Sequence, residues 1–235
     1  MVVVAKESDT QRIPPLSVVL CVDGEVFERF GRILRHLAVG LVDQAVRTRL
    51  VGSDPRIEGL ALGPIQTVLH QPIRWPFLGR RTDHVIDALA HQPPTVVHAM
   101  CHGSYQVALT IADHFDADLV AQVTSLADCA ALQEFDLSQI GRFVAFSDPL
   151  SALLENELKI SRDRIEVIRP GVQAFEHPAC FTRPDRAPTI LCTASLERGS
   201  GVAPLIEAAE KLRKSGRRAM FFLLGQGSQE SALRR

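Results

Sequence analysis

The sequence predicts an α/β protein whose main part is a parallel β-sheet flanked by helices. Short apolar runs alternate with amphipathic segments of helical periodicity, and this alternation is typical of a parallel sheet. The pattern stops after Ile168, in a stretch rich in proline, glycine and charge, and restarts at Thr189. We therefore expect two domains of the same kind, at 1–170 and 188–235, joined by a linker at 171–187, with the second domain incomplete.

The first domain is expected to contain most of the strands. Leu16–Val22 is apolar at nearly every position, as in a strand buried on both faces, and Asp23-Gly24 ends it. The expected strands lie at 16–22, 47–51, 65–69, 95–99, 118–124, 142–147 and 164–168. The expected helices lie at 27–41, 83–91 and 104–115, and from Ser147 to Leu158. Ser104 has the residue type of a helix N-cap.

The second domain is expected to be a short β-α-β-α unit. Its strands lie at 189–193 and 219–224, and its first helix lies at 201–215 with Gly216 just after its end. Gly225-Gln226-Gly227 reads as a tight turn and Ser228 as the cap of a final helix. Two strands alone leave sheet edges unpaired and apolar faces uncovered, so this unit is expected to dock on another surface or to self-associate.

Composition excludes several function classes. A net charge of −1 and a single Trp and Tyr argue against nucleic-acid binding. Five scattered cysteines without C-x-x-C spacing fit buried, reduced thiols, and no cluster has metal-ligand spacing. Neither a secretory signal nor an apolar run of membrane-spanning length is evident, so we expect a cytoplasmic protein and leave peripheral contact with the inner membrane face open.

A family resemblance arises in the second half of the sequence. It rests on the run RIEVIRPGV at 164–172 with Phe175, the strand TILCTASLE, Gly201-Val202, the helix PLIEAAEKL and the strand-turn FFLLGQG. This order resembles the GT-B glycosyltransferases of family 4. VVHA at 96–99 and Gly31 before an amphipathic helix agree more loosely with the first half of that family.

The resemblance implies a fold and an activity. The fold would be GT-B, two Rossmann-like domains of which the second is incomplete here. The activity would be transfer of a sugar from a nucleotide-sugar, which is a substrate and not a cofactor, to a carbohydrate or lipid-linked acceptor, usually without a metal. The donor would lie on the C-terminal domain, against residues at the positions of the family's donor motifs: Ser195, Arg198, Ser200, Gly201, Gly225, Gln226 and Gly227. Among these, Gly225, Gln226 and Gly227 match the motif itself.

The donor motif departs from the family pattern at two positions. Laid on G-R-L-x-x-x-K-G, residues 194–201 read A-S-L-E-R-G-S-G. Ser195 therefore stands at the position of the family's Arg and Ser200 at that of its Lys, which together neutralise the leaving diphosphate. Arg198 is the nearest substitute. Two alternatives stay open: an inactive relative that binds a glycan, a nucleotide or a partner, or a fragment of a longer enzyme.

The acceptor cleft would lie beyond the carboxyl ends of the strands of the first domain, where open α/β sheets bind ligands. Its candidates are Asp23, Gly24, Gly31, His102 and Thr124. Thr124 takes the position of a His that is common in the family. His98 lies inside an apolar strand and reads as a hydrogen-bonded core histidine. No G-x-G-x-x-G follows a strand, which argues against a classical dinucleotide site.

Overall fold

The computed structural model describes residues 16–70, 82–171 and 187–233. The chain divides into two compact units, Met1–Gln173 and Ala174–Arg235, which we call unit 1 and unit 2. Each unit is described by itself below.

Unit 1 is built on a parallel sheet, which confirms the expected fold class. The strands of its described residues are β1 Ser17–Val22, β2 Arg47–Gly52, β3 Gln66–Leu69, β4 Val96–Ala99, β5 Asp118–Val123, β6 Arg142–Ala145 and β7 Ile165–Val167. Their order in the sheet is β3-β2-β1-β4-β5-β6-β7, and every neighbouring pair is parallel. The chain order reverses between β1 and β4, which makes this pair the topological switch point.

Helices cover both faces of this sheet, but unequally. They are α1 Gly24–Asp43, α2 Asp83–Ala90, α3 Tyr105–Phe115, α4 Leu126–Leu132 and α5 Asp148–Asn156. The apolar sides of α2 to α5 pack on one face, whereas α1 packs on the other through residues such as Leu34 and Ala38. All six residues of β1 are buried, as its unbroken apolar sequence predicted. No helix in the described part of the chain is long and apolar enough to cross a membrane.

Local structure differs from expectation at three points in unit 1. Helix α4 begins after Ser125, where only a strand end was expected. Ser104 does not cap α3, because its hydroxyl donates back to the Cys101 carbonyl at 2.8 Å. Helix α1 is kinked at Phe30, whose φ and ψ of −131° and 15° are not helical.

Unit 2 contains β8 Thr189–Thr193 and β9 Met220–Leu224, paired in parallel, with α6 Val202–Lys214 between them and α7 Glu230–Leu233 after them. Gly216 follows α6 with a φ of 76°, as its assignment to the helix end predicted. Side chains of one sheet face are exposed to solvent: Leu191, Met220, Phe222 and Leu224. We call these four residues the apolar face of unit 2.

The cysteines of the described residues are all free thiols. Cys21, Cys101 and Cys129 are buried and Cys192 is half-buried. Burial raises the pKa of the Cys21 thiol far above its ordinary value, which keeps it protonated at neutral pH. The burial of Cys21, Cys101 and Cys129 agrees with the expectation of buried, reduced thiols, whereas Cys192 is less buried than expected. Cys180 lies outside the described residues.

Candidate functional site

The switch point of unit 1 brings several expected site residues to one edge of the sheet. Asp23 follows β1, His102 follows β4 and Thr124 follows β5, and these strands are neighbours in the order β1-β4-β5. Since the strands are parallel, their carboxyl ends lie at the same edge. Open α/β sheets bind ligands in the crevice at such an edge.

Asp128 in the first turn of α4 joins two of these residues. Its Oδ1 accepts hydrogen bonds from the backbone N and the ring Nδ1 of His102, both at 2.9 Å. Its Oδ2 accepts from the backbone N and Oγ1 of Thr124, both at 2.8 Å, and from the N and Oγ of Ser125 at 3.0 and 3.1 Å. The carboxylate therefore holds the ends of β4 and β5 together.

The charge of Asp128 follows from this network. The side chain is almost fully buried, and burial alone would raise its pKa. Hydrogen bonds from His102 and Thr124 outweigh burial and hold the pKa below its ordinary value of 3.8. An ionised carboxylate carries no hydrogen, so each of its partners must donate, including His102 Nδ1.

Asp23 and Gly103 pack against each other across the switch point. The Asp23 Oδ1 accepts from the backbone N of Val26 at 2.9 Å and so caps α1. A Cβ at position 103 would overlap Asp23 Oδ2, so a larger residue here would displace the carboxylate. Asp23 thus serves as a helix cap and lies beside the loop that carries His102.

Gly24 lies at the same edge, next to Asp54 and Arg56 in the segment that follows β2. Arg56 donates to the Gly24 carbonyl at 3.3 Å and pairs with the Asp54 carboxylate at 2.6 Å. A Cβ at Gly24 would stand 3.0 Å from Asp54 Oδ2, which is a tight contact. The arginine therefore ties the first turn of α1 to the loop after β2.

Gly31 is not part of a loop after β1. It lies within α1, one residue beyond the kink at Phe30, and the nearest atom to an added Cβ would be Phe27 Cδ1 at 3.8 Å. That is an ordinary contact, so no close approach requires glycine here. The Phe30 ring packs edge-on against Phe146, which follows β6, with 5.3 Å between centroids.

His98 lies within β4, as the apolar strand predicted, but without the expected hydrogen bond. Its Nε2 is buried and has no partner among the residues that the structure describes. Burial lowers the pKa of the ring to about 4, so the ring is neutral at neutral pH. The residue as a whole is half-buried, and it lies inside the sheet beside Leu20 and not at the edge that carries His102.

The predicted donor residues of unit 2 lie in two loops that interlock. The loop after β8 bonds to the loop after β9 through Leu196 N to Gln226 O and Gln229 N to Leu196 O, both at 2.8 Å. A Cβ at Gly225 would overlap the Ala194 carbonyl, and one at Gly227 would crowd the Leu196 backbone. The structure therefore brings the 194–201 segment and Gly225-Gln226-Gly227 together.

The side chains of the 194–201 segment provide little positive charge. Ser195 and Arg198 are exposed, and Gly201 caps α6 with a φ of 85°. The Oγ of Ser200 is buried and has no hydrogen-bond partner among the described residues. Glu197 accepts from the backbone N of Ser228 at 2.8 Å and from its hydroxyl, and the final helix α7 begins two residues later, at Glu230.

Several participants were not predicted from the sequence, among them Gly103, Ser125, Asp128 and Glu197. The signal for two of them is the S-x-x-D spacing of Ser125 and Asp128, which forms a capping box at the start of α4. Gly103 and Glu197 depend on contacts distant in sequence and have no local signal. In the three described ranges, no three His, Cys, Asp or Glu side chains converge as metal ligands would.

The structure was compared with known proteins, and several solved structures share its architecture. No protein-family model and no curated protein matches the sequence. The structure is similar to a glycosyltransferase from Rickettsia africae, with a TM-score of 0.71 at 18% identity, over 94% of this chain and 63% of that one. It is also similar to the lipopolysaccharide outer core galactosyltransferase WaaB, with a TM-score of 0.69 at 12% identity, over 92% of this chain and 62% of that one.

A third similar structure is HepE from Anabaena, with a TM-score of 0.63 at 13% identity, over 93% of this chain and 64% of that one. The chain thus spans less than two thirds of the length of each of these proteins. Identities this low carry the fold alone. The chain has the α/β fold of the GT-B glycosyltransferases.

Proposed function

We propose that this chain serves in glycosyl transfer from a nucleotide-sugar, with unit 2 contributing to donor binding and unit 1 to acceptor binding. Membership of family 4 is part of the proposal. The acceptor would be a carbohydrate or a lipid-linked molecule. The observation that carries the proposal is the polar edge at the switch point of unit 1, on a fold shared with glycosyltransferases.

The acceptor side of the proposal rests on how that edge is built. His102 has a side chain about one-third exposed, at 34%, while the carboxylate behind it is 1% exposed. A reachable ring backed by a buried, ionised partner is an arrangement that positions a ligand group. Asp23 and Thr124 lie on either side of His102 in the strand order, which provides further polar contacts for a hydroxylated molecule.

The donor side rests on the start of α6. The helix N-terminus offers backbone N–H groups, which favour phosphate oxygens, and the buried Ser200 hydroxyl adds a donor without a partner in the described residues. HepE is described as a complex with UDP and glucose, the ligand class expected for this chain. Phosphate binding here would use backbone groups more than side-chain charge.

The alternative of a binding module without transfer is supported by the charges beside this helix. Arg198 is the cation of the 194–201 segment, and Glu197 opposes it. The hydrogen bonds from Ser228 lower the pKa of Glu197, so it is ionised at neutral pH. A diphosphate would therefore meet a segment of zero net side-chain charge, and we expect weak donor binding and no transfer by this chain alone.

The experiment is to restore the missing cations and measure donor affinity. Titration calorimetry with UDP-glucose and GDP-mannose would compare the natural chain with the double variant Ser195→Arg and Ser200→Lys. A hydrogen bond between charged groups contributes roughly 1.5–3 kcal/mol, so affinity should rise at least about tenfold. Ser215→Lys, at the opposite end of α6, is the control for the general effect of an added positive charge.

The outcomes separate the candidates. Tighter donor binding in the double variant and not in Ser215→Lys supports a donor site at the start of α6. Equal binding in both variants contradicts it. Robust sugar transfer by the natural chain would reject the binding-module alternative, together with the expectation that the cations are required.

A further inference from the structure

Ser228 lies directly after Gly225-Gln226-Gly227, a segment that we call the glycine turn. It donates its backbone N–H to Oε1 of Glu197 at 2.8 Å and its hydroxyl to Oε2 of the same carboxylate. Both hydrogen-bond donors of Ser228 are therefore taken by one anionic group, with one donor on each oxygen. The group at the end of the glycine turn is thus an anion that the chain itself supplies.

The Glu197 carboxylate also lies against the glycine turn. A Cβ added at Gly227 would stand 2.8 Å from Glu197 Oε1 and 2.5 Å from the carbonyl oxygen of Leu196, so a larger residue would displace one of them. Leu196 is fixed in turn by its backbone hydrogen bonds with Gln226 and Gln229. The backbone of its neighbour therefore holds Glu197 in reach of Ser228.

The charge of this carboxylate is not neutralised by a nearby cation. Among the residues that the structure describes, Glu197 forms no ion pair, and the hydrogen bonds from Ser228 lower its pKa, so it is ionised at neutral pH. A phosphate oxygen needs the same N–H and O–H donors and carries the same sign of charge. A phosphate group that reached Ser228 would therefore find its donors engaged and a negative charge beside them.

We propose that Glu197 is a specificity-determining residue, which excludes phosphate-bearing ligands from the glycine turn because its carboxylate occupies the donors of Ser228. That a nucleotide-sugar would otherwise place its diphosphate here rests on the proposed function, whereas the occupation of Ser228 by Glu197 does not. The inference favours the alternative of a binding module without transfer, because the turn is closed to the charged part of the donor.

Removing the carboxylate should open the glycine turn to an anion. In Glu197→Ala, the N–H and the hydroxyl of Ser228 lose their partner, and the negative charge beside them is gone. The probe is inorganic pyrophosphate, which has the charged groups of a donor diphosphate without the sugar or the base. We expect it to bind at least about tenfold more tightly than to the natural chain, as one or two hydrogen bonds to a charged group become available.

Three further variants separate occupation of the turn from a general effect of charge. Glu207→Ala removes the same charge from an exposed position of α6 and should leave pyrophosphate affinity unchanged. Glu197→Gln keeps a side chain of similar shape beside Ser228 and removes only its charge, so its gain should be smaller than that of Glu197→Ala. Adding Ser228→Ala to Glu197→Ala removes the freed hydroxyl and should reverse part of the gain.

Titration calorimetry of the full chain with pyrophosphate measures these affinities, and circular dichroism shows which variants are folded. A micromolar dissociation constant for the natural chain overturns the proposal, whether or not the variants fold. So does a folded Glu197→Ala or Glu197→Gln that binds no more tightly than the natural chain. An equal gain in Glu207→Ala would assign the effect to overall charge and also overturn it.

Failure of the proposed function would give a different result. The cations added at Ser195 and Ser200 would then bring no gain in donor affinity, whereas Glu197→Ala would still bind pyrophosphate more tightly than the natural chain. A gain with pyrophosphate and none with UDP-glucose would support the exclusion by Glu197 and reject the nucleotide-sugar as the ligand. A gain with both would support the exclusion together with the proposed donor site.

Discussion

Acidification to about pH 5 should destabilise unit 1 through a single side chain, the neutral His98 in β4. Burial lowers its pKa from 6.5 to about 4 in the folded chain. As the pH falls, the unfolded chain therefore takes up a proton on this ring before the folded chain does. The stability that the neutral ring contributes is present above about pH 6.5 and is lost progressively as the pH falls toward 4.

The size of this effect follows from the same two values. A pKa of about 4 against 6.5 corresponds to about 3.4 kcal/mol once the pH is well below 4. At about pH 5 the loss is already about 2 kcal/mol. That is a large fraction of the roughly 5–15 kcal/mol by which domains are stable. The carboxylates with lowered pKa, including Asp128 and Asp54, contribute stability that is lost mainly below about pH 4, outside this pH range.

Urea unfolding followed by circular dichroism between about pH 7 and pH 5 measures the effect. The natural chain should lose about 2 kcal/mol across this range, and His98→Leu should lose far less, whatever its stability at neutral pH. His36→Gln, at an exposed position of α1, is the control and should follow the natural chain. Parallel pH dependence in the natural chain and His98→Leu would refute the reasoning.

Three further predictions concern packing and association. Gly103→Ala should displace the Asp23 carboxylate, weaken the cap of α1 and cost about 1–3 kcal/mol by thermal or urea unfolding, whereas Gly59→Ala, with no atom within 4 Å of the added Cβ, should be tolerated. Gly31→Ala should be neutral or stabilise α1 by about 0.5–1 kcal/mol, and a clear loss would restore a special role for this glycine. The natural chain should self-associate with rising concentration in light scattering, and Phe222→Lys on the apolar face of unit 2 should reduce this; a monodisperse natural monomer would contradict it.

The order of elements in unit 1 could be predicted because buried strands and amphipathic helices leave clear patterns. The apolar run at Leu16–Val22 is β1, and the helical spacing after it is α1. Helix α4 was missed because it is one of the shortest, at seven residues, and lacks a long apolar period. The kink in α1 could not be predicted, because no proline marks it in the sequence and the contact of Phe30 with Phe146 is distant along the chain.

The position of the candidate site in the fold could be predicted from the sequence, but the contacts between its side chains could not. The ends of parallel strands meet at one edge, so Asp23, His102 and Thr124 could be grouped before any contact was known. The buried carboxylate that joins His102 to Thr124 belongs to Asp128 in α4, a helix that the sequence pattern did not predict. The role of Gly103 depends on a carboxylate 80 positions earlier in the chain, and single-sequence patterns do not record such distant contacts.

The interlocked loops of unit 2 also bear on the entropy of ligand binding. Ordering a flexible residue costs roughly 1–2 kcal/mol, so a loose loop that closes on a ligand loses much of its interaction energy. The segment after β8 is already held by backbone hydrogen bonds at Leu196 and by the hydrogen bond that Ser228 donates to Glu197. A ligand at the start of α6 would meet a preorganised surface, so modest contacts could still yield measurable affinity.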